Sequence, residues 1–141
     1  MKPDPELNLD LRVELRGAPL PWIGWFAHHY WLVVQDPEGD ERWEGWQRPN
    51  CAKVCSGHLH RDLLPPTAGV GGGDSWVLAS WQGERANALA NRARESLHTY
   101  PWCHRYRYVP GPNSNTYVQW LLQDVYRLPW QALGRHYIVS A

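Results

Sequence analysis

The sequence predicts an α+β fold, an antiparallel sheet packed against two main helices. Three observations predict it. Residues 7–46 carry strand-type patterns broken by turn composition. Residues 83–100 carry an apolar stripe with a 3.6-residue period, and a second such stripe opens behind a proline-rich loop at 110–112. At 141 residues the chain is read as a single domain over 1–141, long enough to enclose a core.

Leu7, Leu9, Leu11, Val13 and Leu15 alternate with Asn8, Asp10, Arg12 and Glu14, a period of two that gives a strand with one wet face. Gly17, Pro19 and Pro21 end it. Residues 26–35, rich in aromatic and β-branched types, form a largely buried strand. Residues 36–40 have hairpin-turn composition, and 42–46 are the return strand. Residues 50–74, with Cys, His and Pro followed by the glycine run 69–73, are expected as a long irregular excursion. That glycine run has no GxxxxGK[ST] pattern, so it is a turn or flap rather than a nucleotide loop.

Residues 75–81 make a further strand. Ala86, Leu89, Ala90, Ala93, Leu97 and Tyr100 then share one helical face until Pro101 stops the helix. Residues 104–109 alternate like a strand and lead into Pro110, Gly111 and Pro112. Asn113 and Ser114 are N-cap types, and Tyr117, Val118, Leu121, Leu122 and Val125 define the apolar stripe of the second helix. The tail, 127–141, carries Pro129 and Gly134 and is expected to pack across the surface.

Fourteen basic residues balance fourteen acidic ones, so no global field draws the chain to nucleic acid or to an anionic membrane. No apolar run reaches membrane-spanning length. Three cysteines do not make a disulfide framework, and residues 1–5 lack the apolar core of a signal peptide; a cytoplasmic protein is expected. Ten tryptophans stand against one phenylalanine, so large rings fill the core or line a groove.

Three groups of residues can do chemistry. Ser114 sits where a stiff loop delivers it to the positive end of a helix, a place for a nucleophile beside oxyanion donors, although a cap is the commoner use of such a residue. His28 and His29 open a strand; neighbours on a strand face opposite ways, so at most one serves a given site. A histidine base needs a partner for its other nitrogen, and Glu44 on the return strand is the candidate. Asp36, Glu38, Asp40 and Glu41 fall in or beside a solvated turn. Cys51, Cys55, His58 and His60 have the ligand types of a structural zinc at the spacing of no familiar finger; free thiols and exposed imidazoles account for them more simply, and no cofactor is expected.

The run Pro-Gly-Pro-Asn-Ser-Asn-Thr-Tyr at 110–117 resembles the signature of a bacterial family of unknown function. The matches at 28–34, at Arg42, Trp43 and Glu44, at Tyr100 and Pro101, and at 128–134 extend the likeness over most of the chain from residue 26 onward. More distantly, the order of parts is similar to that of circularly permuted papain-like enzymes, the NlpC-type peptidases and the lecithin retinol acyltransferase relatives. Those place a histidine at a strand start, a polar orienting residue on a later strand, and an Asn-Cys-x-x-aromatic-Val motif at a helix start. The resemblance implies a circularly permuted papain-like arrangement with His28 or His29 as base, Glu44 as orienter, and Asn113 and Ser114 in the motif, serine standing where those enzymes have cysteine.

Three functions follow. The first is a serine-type hydrolase or acyltransferase acting on a small-molecule or peptide amide or ester. The second is an inactive papain-like module that binds a ligand or a protein partner through Trp22, Trp25, Trp31, Trp43 and Trp46. The third is a zinc module on Cys51, Cys55, His58 and His60.

Overall fold

The computed structural model describes residues 7–137. Six strands and two helices follow in the order β1 (Arg12–Pro19), β2 (His28–Asp36), β3 (Gly39–Gly45), β4 (Val54–Ser56), β5 (Leu59–Arg61), β6 (Trp76–Gln82), α1 (Gly83–Thr99) and α2 (Ser114–Leu122). The strands form one antiparallel sheet in the order β4-β5-β3-β2-β1-β6. The α+β class read from the sequence is the observed one.

Alternation along the central strands divides the sheet into two faces. Val13 and Leu15 of β1, Tyr30, Leu32 and Val34 of β2 and Trp43 of β3 point into the main core. There they meet Ala86, Leu89, Ala90 and Ala93 of α1 and Tyr117, Val118, Leu121 and Leu122 of α2. Small alanines on α1 let the helix approach the sheet, while leucines and Tyr117 on α2 fill the remaining depth. On the other face Trp31 and Val33 form a smaller cluster with Ala18, and Trp31 donates its indole N–H to the Pro66 carbonyl at 2.9 Å. The loop after β5 therefore covers that second face.

Several boundaries differ from the sequence reading, each for a local reason. β1 begins at Arg12, not Leu7, because its pairing with both neighbours stops there, opposite Gln35 of β2 and Gln82 of β6. Leu7 and Leu9 are accordingly exposed. The excursion 50–74 contributes β4 and β5, which extend the sheet beyond β3. Residues 104–109 form no strand; the Arg107 N–H turns to the Pro112 carbonyl at 2.8 Å, folding the segment back on the proline loop. α2 stops at Leu122, where Gln123 takes a left-handed φ of 50°, and the Gln119 side chain holds the Tyr126 carbonyl and the Leu128 N–H. Leu128 and Ala132 of the tail are buried in the main core rather than laid on the surface, and residues 138–141 lie outside the described residues.

Candidate functional site

β2 carries His28 and His29 on opposite faces. His28 shares the Tyr30 side, with its Nδ1 3.0 Å from the Tyr30 hydroxyl and its ring edge-on to Trp76. His29 shares the side of Trp31 and stacks on that ring, with centroids 5.4 Å apart. The alternation expected of a strand thus separates the pair: His29 faces Ser114, and His28, although it lines the same cavity, does not pair with it.

His29 joins two side chains from distant parts of the chain. Its Nδ1 is 2.9 Å from Ser114 Oγ, and its Nε2 is 2.7 Å from Glu44 Oε2. All three side chains are buried. The hydrogen-bond roles follow from the groups. An ionised carboxylate only accepts, so Nε2 carries the proton and donates to Glu44, which leaves Nδ1 as an acceptor for the serine hydroxyl.

Arg42 keeps that carboxylate ionised. It lies two residues from Glu44 on β3 and therefore on the same face. Its Nη2 donates to Glu44 Oε2 at 2.9 Å, and its Nε approaches Oε1 at 2.8 Å as an ion-pair contact without hydrogen-bond alignment. Burial by itself pushes the Glu44 carboxyl up, but the His29 hydrogen bond and charge together with the Arg42 guanidinium outweigh it and hold the group below its ordinary range. The guanidinium lies over the Trp31 ring at 3.9 Å, and its Nη1 donates to the Pro65 and Ala68 carbonyls at 2.8 and 2.6 Å. Arg42 thereby ties the loop after β5 to the Glu44 carboxylate.

The serine is placed by the capping chemistry of α2. Asn113 is the N-cap; its side chain accepts from the Asn115 and Thr116 N–H groups at 2.9 and 3.2 Å, and Thr116 Oγ1 accepts the Asn113 N–H at 3.0 Å. Ser114 is then the first helical residue and not the cap, which frees its hydroxyl for His29. Thr116 Oγ1 also donates to the Gly134 carbonyl at 2.7 Å. A side chain is excluded at 134, because φ is 90° and a Cβ would stand 2.3 Å from the Asn113 amide.

Two contacts fix the helix tip against the sheet. Asn115 donates to the His28 carbonyl at 2.8 Å and accepts from the Tyr30 N–H at 3.1 Å, gripping β2 on either side of His29. β3 pairs with β2 only from Leu32 onward, so this amide takes backbone groups that the neighbouring strand does not reach. Gly45, at the end of β3, lies against the same tip; a Cβ there would be 3.0 Å from Ser114 Cα.

The site opens into a cavity of about 690 Å³. Leu20, Ile23, Phe26 and Val109 line it on one part and His29, Ser114 and Tyr106 on another; its lining includes no Asp, Glu, Lys or Arg. The Tyr106 hydroxyl sits beside the hydroxyl and N–H of Ser114, and burial pushes its pKa up to about 12 in spite of those contacts, so it stays protonated as a donor.

The other expected residues fall elsewhere. His60 is buried, with burial holding its pKa down, and its Nε2 accepts the Cys51 N–H at 3.1 Å; His58 Nδ1 faces the Trp46 carbonyl. Among the described residues no three His, Cys, Asp or Glu side chains gather as a metal site. Of the five tryptophans read as contact surface, Trp31 and Trp43 are buried in the sheet, Trp46 is half-buried, and Trp22 and Trp25 are exposed. Arg42, Asn115 and Tyr106 complete the site without having been singled out for it. The Arg-x-Glu spacing on a strand would have found the first, and the second lies inside the 110–117 run.

The model of one protein family, described as "Protein of unknown function (DUF3750)", matches residues 10–137. The chain belongs to this family. No curated protein and no solved structure matches the DUF3750 chain. The matched span contains every candidate site residue of this DUF3750 domain, from His28 to Asn115. No helix among its described residues is long and apolar enough to cross a membrane.

Proposed function

We propose that this DUF3750 domain is a serine-type acyl-transfer enzyme, a hydrolase or acyltransferase of amides or esters. The observation that carries this reading is the buried chain Ser114–His29–Glu44, with contacts of 2.9 and 2.7 Å, at the wall of an open cavity. A serine hydroxyl must lose its proton during attack, and the free Nδ1 of His29 is in position to take it. As Ser114 Oγ bonds to the acyl carbon, the carbonyl π pair moves to oxygen and the proton passes to His29 Nδ1. Glu44 stabilises the imidazolium through Nε2–H. The Asn113 side chain occupies the N–H groups of 115 and 116, so the oxyanion donors are the Ser114 N–H and the Tyr106 hydroxyl. On collapse, the carbon–leaving-group bond breaks and His29 protonates the departing atom. Water or another acceptor, deprotonated by His29, then attacks the acyl-serine, and Ser114 recovers its proton.

The same order of parts supports a circularly permuted papain-like ancestry: a histidine on an early strand, a carboxylate on the next, and the nucleophile at a later helix start. The test is covalent. A fluorophosphonate probe should label the wild-type chain at Ser114, and Ser114→Ala should abolish labelling with the circular dichroism spectrum unchanged. A folded wild-type chain that reacts no faster than free serine would end the enzyme reading.

A further inference from the structure

The loop of residues 20–26, between β1 and β2, presents two indoles to solvent at the cavity mouth. Trp22 is 99% exposed and Trp25 77% exposed, while Leu20, Ile23 and Phe26 of the same loop line the cavity. The loop is a built knob. The Ala27 and Phe26 N–H groups both donate to the Ile23 carbonyl, the Leu20 N–H donates to the Ala27 carbonyl, and Trp25 packs edge-on to Phe26 at 4.5 Å. Trp22 is held at φ 70°, a left-handed backbone that a bulky residue rarely adopts, and its ring packs on almost nothing of its own chain. Exposed Tyr108 and Val109 also line the cavity.

Charge is distributed unevenly around this opening even though the chain's net charge is zero. Residues 17–35, which include the knob, contain no Asp, Glu, Lys or Arg. The lining residues Trp46, Gln47, Tyr106, Tyr108 and Val109 belong to the segments 45–61 and 96–123, which have no Asp or Glu at all. Those segments do carry exposed Arg48, Lys53, Arg105 and Arg107.

We infer that the knob inserts Trp22 and Trp25 into the headgroup region of an anionic lipid bilayer, with Arg48 and Arg107 facing the lipid phosphates, so that the cavity opens onto the membrane surface. Indole suits that depth because its ring is apolar and its N–H seeks a polar partner. Basic side chains beside it add electrostatic attraction that acts only near an anionic surface. A protein partner fits less well, because the two rings offer roughly 400 Å² and one side of a stable protein interface contributes about 800 Å². The inference is independent of the acyl-transfer reading, since it concerns where the mouth is seated and not what reacts within it.

Co-sedimentation of the full chain with phosphatidylcholine vesicles, alone or with phosphatidylglycerol, tests it. Binding to the anionic vesicles, weakened by salt, is expected. Trp22→Gly suits the left-handed backbone and so removes the ring without a folding cost; combined with Trp25→Ala it should weaken binding roughly tenfold or more. Arg48→Gln with Arg107→Gln should flatten the salt dependence while leaving the tryptophan effect in place. Failure of the wild type to pellet with anionic vesicles at low salt overturns the inference. So does equal pelleting of the folded tryptophan variant, or a Trp22-dependent dimer seen by sedimentation without vesicle binding. Pelleting reads attachment alone, so this failure is distinct from a failure of probe labelling.

Discussion

Replacing Arg42 with methionine keeps much of the side-chain volume and removes the guanidinium from a fully buried carboxylate. Glu44 then keeps His29 but loses the contacts at 2.8 and 2.9 Å, and the Pro65 and Ala68 carbonyls lose their donor. Breaking one side of a buried ion pair costs about 3–5 kcal/mol, because the remaining charge stays desolvated. With a urea dependence of about 1–3 kcal/mol per molar, the unfolding midpoint should fall by about 2 M at around pH 7. The pH dependence gives the decisive sign. In the wild type Glu44 titrates below its ordinary value of 4.5, so it adds stability above that pH, and the gain is lost as pH falls through the depressed folded value. Without Arg42 part of what holds the carboxyl down is gone, the folded carboxyl moves up, and the Arg42→Met deficit should narrow on acidification toward about pH 4. Arg42→Met with Glu44→Leu should recover most of the loss, since an apolar pair leaves no stranded charge. Urea titrations at several pH values measure all of this. A deficit under about 1 kcal/mol, the worth of an exposed pair, or one constant with pH, would refute the account of Glu44 as a charge held by Arg42.

Under the acyl-transfer reading, Tyr106→Phe should slow fluorophosphonate labelling by about 10²–10³-fold by removing one oxyanion donor, with stability nearly unchanged; an unaltered rate constant in stopped-time gels would remove Tyr106 from the mechanism. Glu44→Gln should slow labelling by about 10⁴-fold through the wrong imidazole tautomer, and a rate within tenfold of wild type would contradict the orienting role. Gly45→Ala places a methyl 3.0 Å from Ser114 Cα, so it should slow labelling by about 10²-fold through displacement of the nucleophile, with only a modest fall in thermal midpoint. Wild-type labelling in that variant would show that the helix tip can yield without consequence.

Sequence periodicity was enough for the central strands and both helices, because alternation and the 3.6-residue stripe report burial directly; the short β4 and β5 carry too little pattern to be read. Residue types and the resemblance pointed to His28 or His29, Glu44 and Ser114, and the strand rule allowed only one histidine to face Ser114; His29 is the one in contact with both Ser114 and Glu44. What decided between the two histidines was β2's registration against the tip of α2, a contact between residues 85 apart in sequence. Arg42 escaped notice because a lone Arg on a strand reads as solvent-facing until a loop is known to cover it. The strand expected at 104–109 failed for a related reason: alternation describes a side-chain pattern, and nothing local said that Arg107 would bond to Pro112 rather than to a neighbouring strand. Ser114 competed with Asn113 for the cap, and Thr116, three residues after Asn113, was the clue that Asn113 takes it.

The Asn115 amide offers β2 one donor and one acceptor in a plane, the same pair that a peptide group of an adjoining chain segment would present. In effect a single side chain stands in for a missing stretch of sheet, and it does so one residue after the hydroxyl that meets His29. Sliding the helix by one position would cost both hydrogen bonds to β2 and the alignment of oxygen to imidazole. The alignment of the Ser114 hydroxyl with His29 therefore rests on the grip of Asn115 on β2.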